Sequence, residues 1–286
     1  MNDRWAAGHI EARLGSRRVA ALTVHECDQF LKSAGAGRFG GPLGRDQLKR
    51  LRGRLIKVLE NDRRRGLVAR NVAKLSVIPE VSPILVPRRP RRALSGDELA
   101  RLIDASSGIG RVLIDLSSRH GLRPAEARAL RWSRVDFDRL TVRIDAQINR
   151  ANQLVKVKTK RSFRTIRVDA VTMKRLANWR CQQSEAEEVA GFAWAGNELE
   201  LVATTAVGTP VNQRNVHRTL ALASRKAGID PAVSGYELRH TAITLQIEKE
   251  IPVHRVADWA GTSERMIWDV YRHLLSEVTD VGPSDG

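Results

Sequence analysis

Between residues 79 and 92 the chain carries Pro79, Pro83, Pro87 and Pro90 together with Arg88, Arg89, Arg91 and Arg92. Proline locks φ and lacks the N–H that a helix interior or an inner strand needs, so this stretch supports no regular element. The chain must therefore fold as two bodies joined by a stiff, strongly basic connector that can follow a phosphate backbone. Its 286 residues are enough to give each body a core. We place a first domain at residues 1–86, the linker at 87–94 and a second domain at 95–286.

The first domain reads as helices. Thr23 and Glu26 form a capping-box pair, and Val24, Cys27, Phe30 and Leu31 follow at helical spacing until glycines 35 and 37 stop the run. A second helix is expected over about residues 45–65. Leu48, Leu51, Leu55, Val58 and Leu59 form its apolar stripe, and Gly66 follows as a C-cap. Its other faces carry Lys49, Arg50, Arg52, Arg54, Lys57, Arg63, Arg64 and Arg65. Such a helix buries one side and offers the other to phosphates.

The second domain opens on another capping box, Ser95 with Glu98, ahead of Leu99, Leu102 and Ile103. Ile109, Val112, Leu113 and Leu116 mark the next helix, which Gly121 ends. Pro124 then suits a first helical position, so Arg123 lies in a tight junction between helices. Three extended runs follow: 140–144, 147–158 with a break near 150–153, and 163–168. Alternation in Thr141–Asp145 and Thr165–Val168 predicts a small antiparallel sheet with Lys158 at its last turn. The remainder reads as helical, punctuated by loops at Gly191, Gly208-Thr209-Pro210, Gly228, Gly235 and Gly261, with a frayed end at 282–286. The fold class is mainly α with a small antiparallel β-sheet (α+β).

Lys and Arg outnumber Asp and Glu by 49 to 32, a formal net charge of +17 and a pI near 11.0. This balance points to a polyanionic partner, and nucleic acid before all others. No apolar run approaches the ~20 residues that cross a bilayer, so no membrane role is expected. The start, Met1-Asn2-Asp3-Arg4-Trp5, does not read as a secretory signal. Cys27 and Cys181 lie far apart and form neither a metal-ligand spacing nor a disulfide framework. A cytoplasmic protein with no metal and no cofactor is expected.

Four short segments carry the chemistry. Arg123 stands in Gly121-Leu122-Arg123-Pro124-Ala125-Glu126, Lys158 in Val157-Lys158-Thr159-Lys160-Arg161-Ser162, Arg239 in Tyr236-Glu237-Leu238-Arg239-His240-Thr241, and Tyr271 in Val270-Tyr271-Arg272-His273-Leu274. Two arginines, a lysine and a tyrosine suffice to cut a DNA phosphodiester without a metal. Guanidinium forks bind non-bridging oxygens, an ammonium protonates the leaving oxygen and a phenol attacks. In order and spacing these segments resemble the tyrosine recombinase (phage integrase) family.

The resemblance implies a helical core-binding domain followed by a catalytic domain, the two closing as a clamp around duplex DNA. It gives Arg123 and Arg239 to the phosphate, Lys158 to the leaving 5′ oxygen (with Lys156 and Lys160 as close rivals) and Tyr271 to the attack that leaves a 3′-phosphotyrosyl bond. Glu126 would orient Arg123. The DNA-binding set is Lys49, Arg50, Arg52, Arg54, Lys57, Arg88, Arg89, Arg91 and Arg92. The family implies four protomers acting on two specific sites, in a bacterial nucleoid or a phage-infected cytoplasm. Residues after Tyr271 would dock on a neighbour, although Leu274, Leu275 and Val278 could as well pack in their own chain. The further amino-terminal domain of many integrases finds no room, which fits recombination of simple sites or a truncated member.

Two positions depart from the family pattern. Tyr236 stands where a histidine opens the His-Xaa-Xaa-Arg motif, and Thr262 stands where histidine or tryptophan follows the glycine. Either change weakens proton handling or phosphate binding. His240, itself common in the family with a supporting place, and His273 are neighbours able to take up proton transfer. The resemblance thus allows a working recombinase or a DNA-binding relic of one, with a relaxing enzyme like type IB topoisomerases as a third reading.

Overall fold

The computed structural model describes residues 3–37, 41–81, 92–157 and 159–275 of the chain. Lys158, the linker residues Pro83, Pro87, Arg88, Arg89, Pro90 and Arg91, and the end from 276 with Val278 lie outside the described residues, as do the side chains of His273, Leu274 and Leu275. The chain divides into two compact units, Met1–Pro90 and Arg91–Gly286.

The first unit packs α1 (Asp3–Leu14), α2 (Val24–Gly35) and α3 (Arg45–Arg64). Thr23 caps α2: its Oγ1 accepts from Glu26 N at 3.2 Å and its own N–H donates to Glu26 Oε2 at 3.0 Å. Leu48, Leu51, Leu55 and Leu59 of α3 meet Cys27, Phe30 and Leu31 of α2 in one apolar core. Val58, expected in that stripe, is 38% exposed. At ~100° per residue it sits about 65° from the stripe's centre, on the rim of the buried face. Lys49, Arg50 and Lys57 are exposed, while Arg52 turns back on the protein. The Arg52 Nε donates to Ser76 O at 2.9 Å and its Nη2 to Lys74 O at 2.8 Å. Lys74 closes a short turn (Val72–Lys74) and Ser76 follows it, so this guanidinium ties the turn and the segment after it to α3.

The second unit begins with α4 (Gly96–Asp104), α5 (Gly108–Ser118) and the single turn α6 (Pro124–Ala127). Strands β1 (Val135–Asp136), β2 (Thr141–Ile144), β3 (Ala146–Ile148), β4 (Leu154–Lys156) and β5 (Arg164–Arg167) follow. They form two separate antiparallel pieces where one sheet was expected: a three-stranded sheet in the order β1-β2-β5, and a β3-β4 ribbon. The ribbon has its own anchors. Asp145 accepts from Arg131 Nη2 at 2.8 and 2.9 Å, and Arg128 Nη2 donates to Asn152 Oδ1 at 2.6 Å. In β5 Ile166 and Arg164 face inward while Thr165 and Arg167 are exposed, so one strand delivers an apolar side chain and a cation to the interior.

Helices α7 (Ala170–Ala190), α8 (Gln213–Lys226), α9 (Gly235–Glu248), α10 (Val253–Ala260) and α11 (Glu264–Leu275) complete the unit. The core gathers Leu102, Ile114, Leu116, Leu122, Val142, Ile166, Leu176, Leu220 and Leu238. A smaller apolar cluster joins α9, α10 and α11 through Ile243, Ile247, Val256, Ala257, Ile267 and Tyr271. Gly235, expected in a loop, is the first residue of α9. Ser234 is the N-cap, with Glu237 N donating to its Oγ at 3.2 Å and its own N–H donating to Glu237 Oε2 at 2.8 Å. Glycine is needed there for space: a Cβ would stand 2.7 Å from Pro124 Cγ. The starts of α6 and α9 are thereby pressed together, which brings the segment after Arg123 against the segment before Arg239.

Candidate active site

Arg123 is the N-cap of α6 and its backbone is extended (φ −66°, ψ 147°). Gly121 turns the chain into it with φ +67°, and the Trp259 ring lies where a side chain would be, 2.8 Å from the Cβ position. Only glycine meets both demands. The Arg123 guanidinium donates through Nη1 to Glu126 Oε1 and through Nη2 to Gly261 O, both at 2.7 Å. Gly261 is the left-handed cap of α10, so Arg123 takes up a carbonyl left over at a helix end.

Glu126 also accepts from the Arg123 backbone N–H at 3.0 Å, and its Oε2 accepts from Arg164 Nη2 at 3.0 Å. Burial alone would raise its carboxyl, but Arg164 and then Arg123 outweigh that and hold it below the usual carboxylate range. Arg164 is buried and makes three different bonds. Besides Glu126, its Nε donates to Trp259 O at 2.7 Å and its Nη1 to Ser162 O at 3.1 Å. One side chain thus ties α6, the end of α10 and the segment after the β3-β4 ribbon. Burial is also the main reason its guanidinium lies below the ordinary arginine value.

Arg239 lies on the buried face of α9, 7% exposed, and its Nη1 donates to Gly121 O. Burial first, then repulsion from Arg123 and Arg164, push it down to about 9; Glu126 and Tyr271 act in the opposite sense. It stays cationic at neutral pH. The Tyr271 ring is 4% exposed, and its hydroxyl is 2.7 Å from Nδ1 of His240. The two rings stack with centroids 4.6 Å apart and planes inclined by 28°.

A cleft of 480 Å³ is lined among others by Arg123, Glu126, Arg161, Tyr236, Gly261 and Thr262. Tyr236 is 66% exposed at its edge. Arg123, Glu126, Tyr236 and Thr262, singled out on sequence grounds, therefore share one opening. Arg239 and Tyr271 do not line it; Arg239 is within electrostatic reach of Arg123 and Tyr271. Lys158 lies outside the described residues; its neighbours Val157 and Thr159 line the cleft. The basic residues of α3 belong to the other unit.

Arg164 and Arg161 stand in the segment around Lys158, but sequence reasoning assigned neither a role. A signal for Arg164 was present, because alternation through Ile166 and Val168 puts residue 164 on the buried face of its strand. A buried cation requires a buried acceptor.

The architecture defines a mainly helical unit with a small antiparallel sheet whose polar centre is a cluster of guanidiniums around one carboxylate and one phenol. The Phage integrase family profile matches residues 92–277, and the chain belongs to that family. It is 26% identical over 214 residues to the "Tyrosine recombinase XerC-like" protein of Caldanaerobacter subterraneus subsp. tengcongensis, covering 67% of this chain and 54% of the relative. It is 25% identical over 165 residues to "Tyrosine recombinase XerC" of Corynebacterium glutamicum, covering 58% and 46%. The chain thus spans about half the length of these curated relatives. The fold is shared with the Tn1549 transposon integrase in complex with transposon right end DNA, at a TM-score of 0.71 and 13% identity over 97% of this chain and 91% of that one. It is also shared with a lambda integrase dimer bound to a COC' core site, at a TM-score of 0.62 and 18% identity over 95% and 87%.

Proposed function

We propose that this chain is a site-specific DNA recombinase that cuts and rejoins duplex DNA through a 3′-phosphotyrosyl intermediate, with Arg123, Lys158, Arg239 and Tyr271 as its catalytic residues. What supports the reading is that Arg123 lines a cleft, that Arg239 bonds to the carbonyl of Gly121 two residues before it, and that Arg239 is within electrostatic reach of both Arg123 and Tyr271. Guanidiniums held in place before substrate arrives need no reorganisation when charge builds on a phosphorane, and that is where electrostatic catalysis gains most. Arg123 has its fork fixed by Glu126 and Gly261, and Arg239 has its own fixed by Gly121. Each retains donors for the non-bridging oxygens.

In this reading the Tyr271 oxygen attacks the phosphorus, the bond to the 5′ oxygen breaks, and that oxygen takes a proton from Lys158. The phosphodiester energy stays in the covalent link, so a 5′ hydroxyl of another strand reverses the step without ATP. Tyr236 at the cleft edge offers a phenol O–H to the phosphate where the family has an imidazole, and Thr262 offers a hydroxyl. Lys49, Arg50 and Lys57 of the first unit meet flanking phosphates. The substrate is duplex DNA with specific sites, engaged by four protomers on two sites in the cytoplasm.

The test is a covalent protein–DNA band. A binding site is selected from random-sequence duplex, and copies nicked at successive positions are incubated with the protein and run on a denaturing gel. A band in wild type that Tyr271→Phe abolishes supports the reading. A DNA site that is bound and never attached to protein leaves a DNA-binding protein without the chemistry. A band that survives Tyr271→Phe removes the nucleophile assignment. Relaxation of supercoiled plasmid lacking any selected site would instead mark a relaxing enzyme.

A further inference from the structure

Resting on that reading, we propose that His240 is the general base that takes the phenolic proton of Tyr271 as the hydroxyl attacks. A phenol titrates near ~10 and is a poor nucleophile at neutral pH until its proton has somewhere to go. Tyr271 is 4% exposed, so bulk water is a poor acceptor, and a group already in contact has to serve. The contact is His240: Nδ1 lies 2.7 Å from the hydroxyl, inside the distance for direct proton transfer, and the stacked rings hold it there. To accept the phenolic proton at Nδ1, the imidazole must be neutral with its own proton on Nε2.

The placement follows from the helix. Tyr236 and His240 are four residues apart on α9, one turn and one face, with Arg239 beside them. Phosphate clamp and base thus come from adjacent residues of one rigid element. Position 236 is exposed at the cleft edge, whereas position 240 is buried against the nucleophile, so a histidine at 240 is the better placed of the two to act on the phenol.

The other titratable groups around this point do not fit the task. Glu126 is bound by two arginines and held below the carboxylate range. Arg123, Arg164 and Arg239 are cations that favour proton loss from the phenol and accept no proton themselves. On the helices packed against α9, Asp115 of α5 is engaged by Arg175, and His254, Arg255 and Asp258 of α10 with Arg265, Asp269 and Arg272 of α11 are exposed. His120, the other buried histidine among the described residues, is bonded to Thr172 and Asp169 and pushed down to about 4 by burial. In the forward step the proton passes from the Tyr271 oxygen to His240 Nδ1, the oxygen–phosphorus bond forms, and the bond to the 5′ oxygen breaks. In rejoining, the His240 imidazolium returns the proton to the tyrosine oxygen as it leaves.

The experiment measures single-turnover cleavage of the selected, nicked duplex by wild type, His240→Asn and His240→Ala across pH. Melting curves and DNA affinity at one stated salt concentration are recorded for each variant. In wild type the rate falls on the acid side with unit slope as the base is protonated. In His240→Asn, which keeps a hydrogen-bonding group, cleavage falls by about 10²–10⁴-fold with unchanged DNA affinity, and the acid limb disappears. Added imidazole restores part of the rate to His240→Ala and none to Tyr271→Phe. A variant that cleaves at the wild-type rate, cleaves faster, or keeps the acid limb overturns the assignment while leaving the recombinase reading intact; a faster variant would mark the contact as a lock on the nucleophile. Wild type that binds the site and forms no covalent product overturns both.

Discussion

Arg164 ties three segments with three kinds of donor, and its removal has consequences that a surface arginine would not have. Arg164→Met leaves the buried Glu126 with one cationic partner and strips the donors from Trp259 O and Ser162 O. Breaking a buried ion pair from one side costs about 3–5 kcal/mol. A calorimetric melt should show that loss, with cleavage falling beyond what the unfolded fraction explains, because Arg123 loses its oriented carboxylate. Arg164→Lys keeps charge but cannot reach three acceptors in a plane, so it should recover less than half of the stability. A melt unchanged by Arg164→Met would show that the contacts are incidental. The catalytic candidates were legible in the sequence because phosphate chemistry asks for particular residue types: Arg123, Arg239 and Tyr271 stand out by identity and spacing. Arg164 did not, since its meaning is a contact with Glu126, 38 residues away in sequence. The pairing of His240 with Tyr271 was hidden in the same way, across 31 residues.

Among the elements, local signals were readable and tertiary ones were not. Capping boxes at Thr23 and Ser95 announce α2 and α4 because the interaction is complete within four residues. β1 has two residues and no alternation to read, and Gly235 looks like punctuation because its need for a bare Cα comes from Pro124 on another helix. The start of α7 carries a prediction of its own. Asp169 caps it by accepting from Thr172 N at 2.8 Å, and His120 Nε2 sits 3.1 Å from Asp169 Oδ2. Despite that carboxylate, burial pushes His120 down to about 4, so the folded imidazole is neutral. The unfolded chain, with histidine near ~6.5, binds more protons between those values, and stability falls as pH drops through the window. Full stability is present above about pH 6.5, and the loss by pH 4 is at most roughly 3 kcal/mol. Chemical denaturation across pH 4–7 reads it, and His120→Gln should flatten the slope; an unchanged slope would assign the acid sensitivity elsewhere. On α3, replacing Lys49, Arg50 and Lys57 with alanine should lower the slope of log affinity for duplex against log salt by about 0.9 for each residue that meets a phosphate. A slope that does not move would take this face away from the DNA.

At the scale of the whole molecule, the proposed function divides a net charge of +17 into two roles: surface cations on both units that meet DNA, and a few fixed ones that act on its phosphate. The two roles separate experimentally because they respond differently to ions. Surface cations bind by releasing counterions, so a protein with six to ten phosphate contacts loses about 10³–10⁵ in affinity between 50 and 200 mM salt. The half-buried Arg123 and the buried Arg239 are screened less than surface cations, being fixed by Glu126, Gly261 and Gly121. Raising salt should therefore weaken binding steeply while leaving the single-turnover cleavage rate at saturating protein within a few-fold. If these guanidiniums supply the charge that a nuclease draws from divalent ions, the yield of covalent complex should be equal in excess EDTA and in magnesium once binding is saturated. A yield that collapses in EDTA and returns with magnesium would mean that the arginines do not carry the phosphorane's charge, and the division of labour between surface and interior cations would have to be drawn differently.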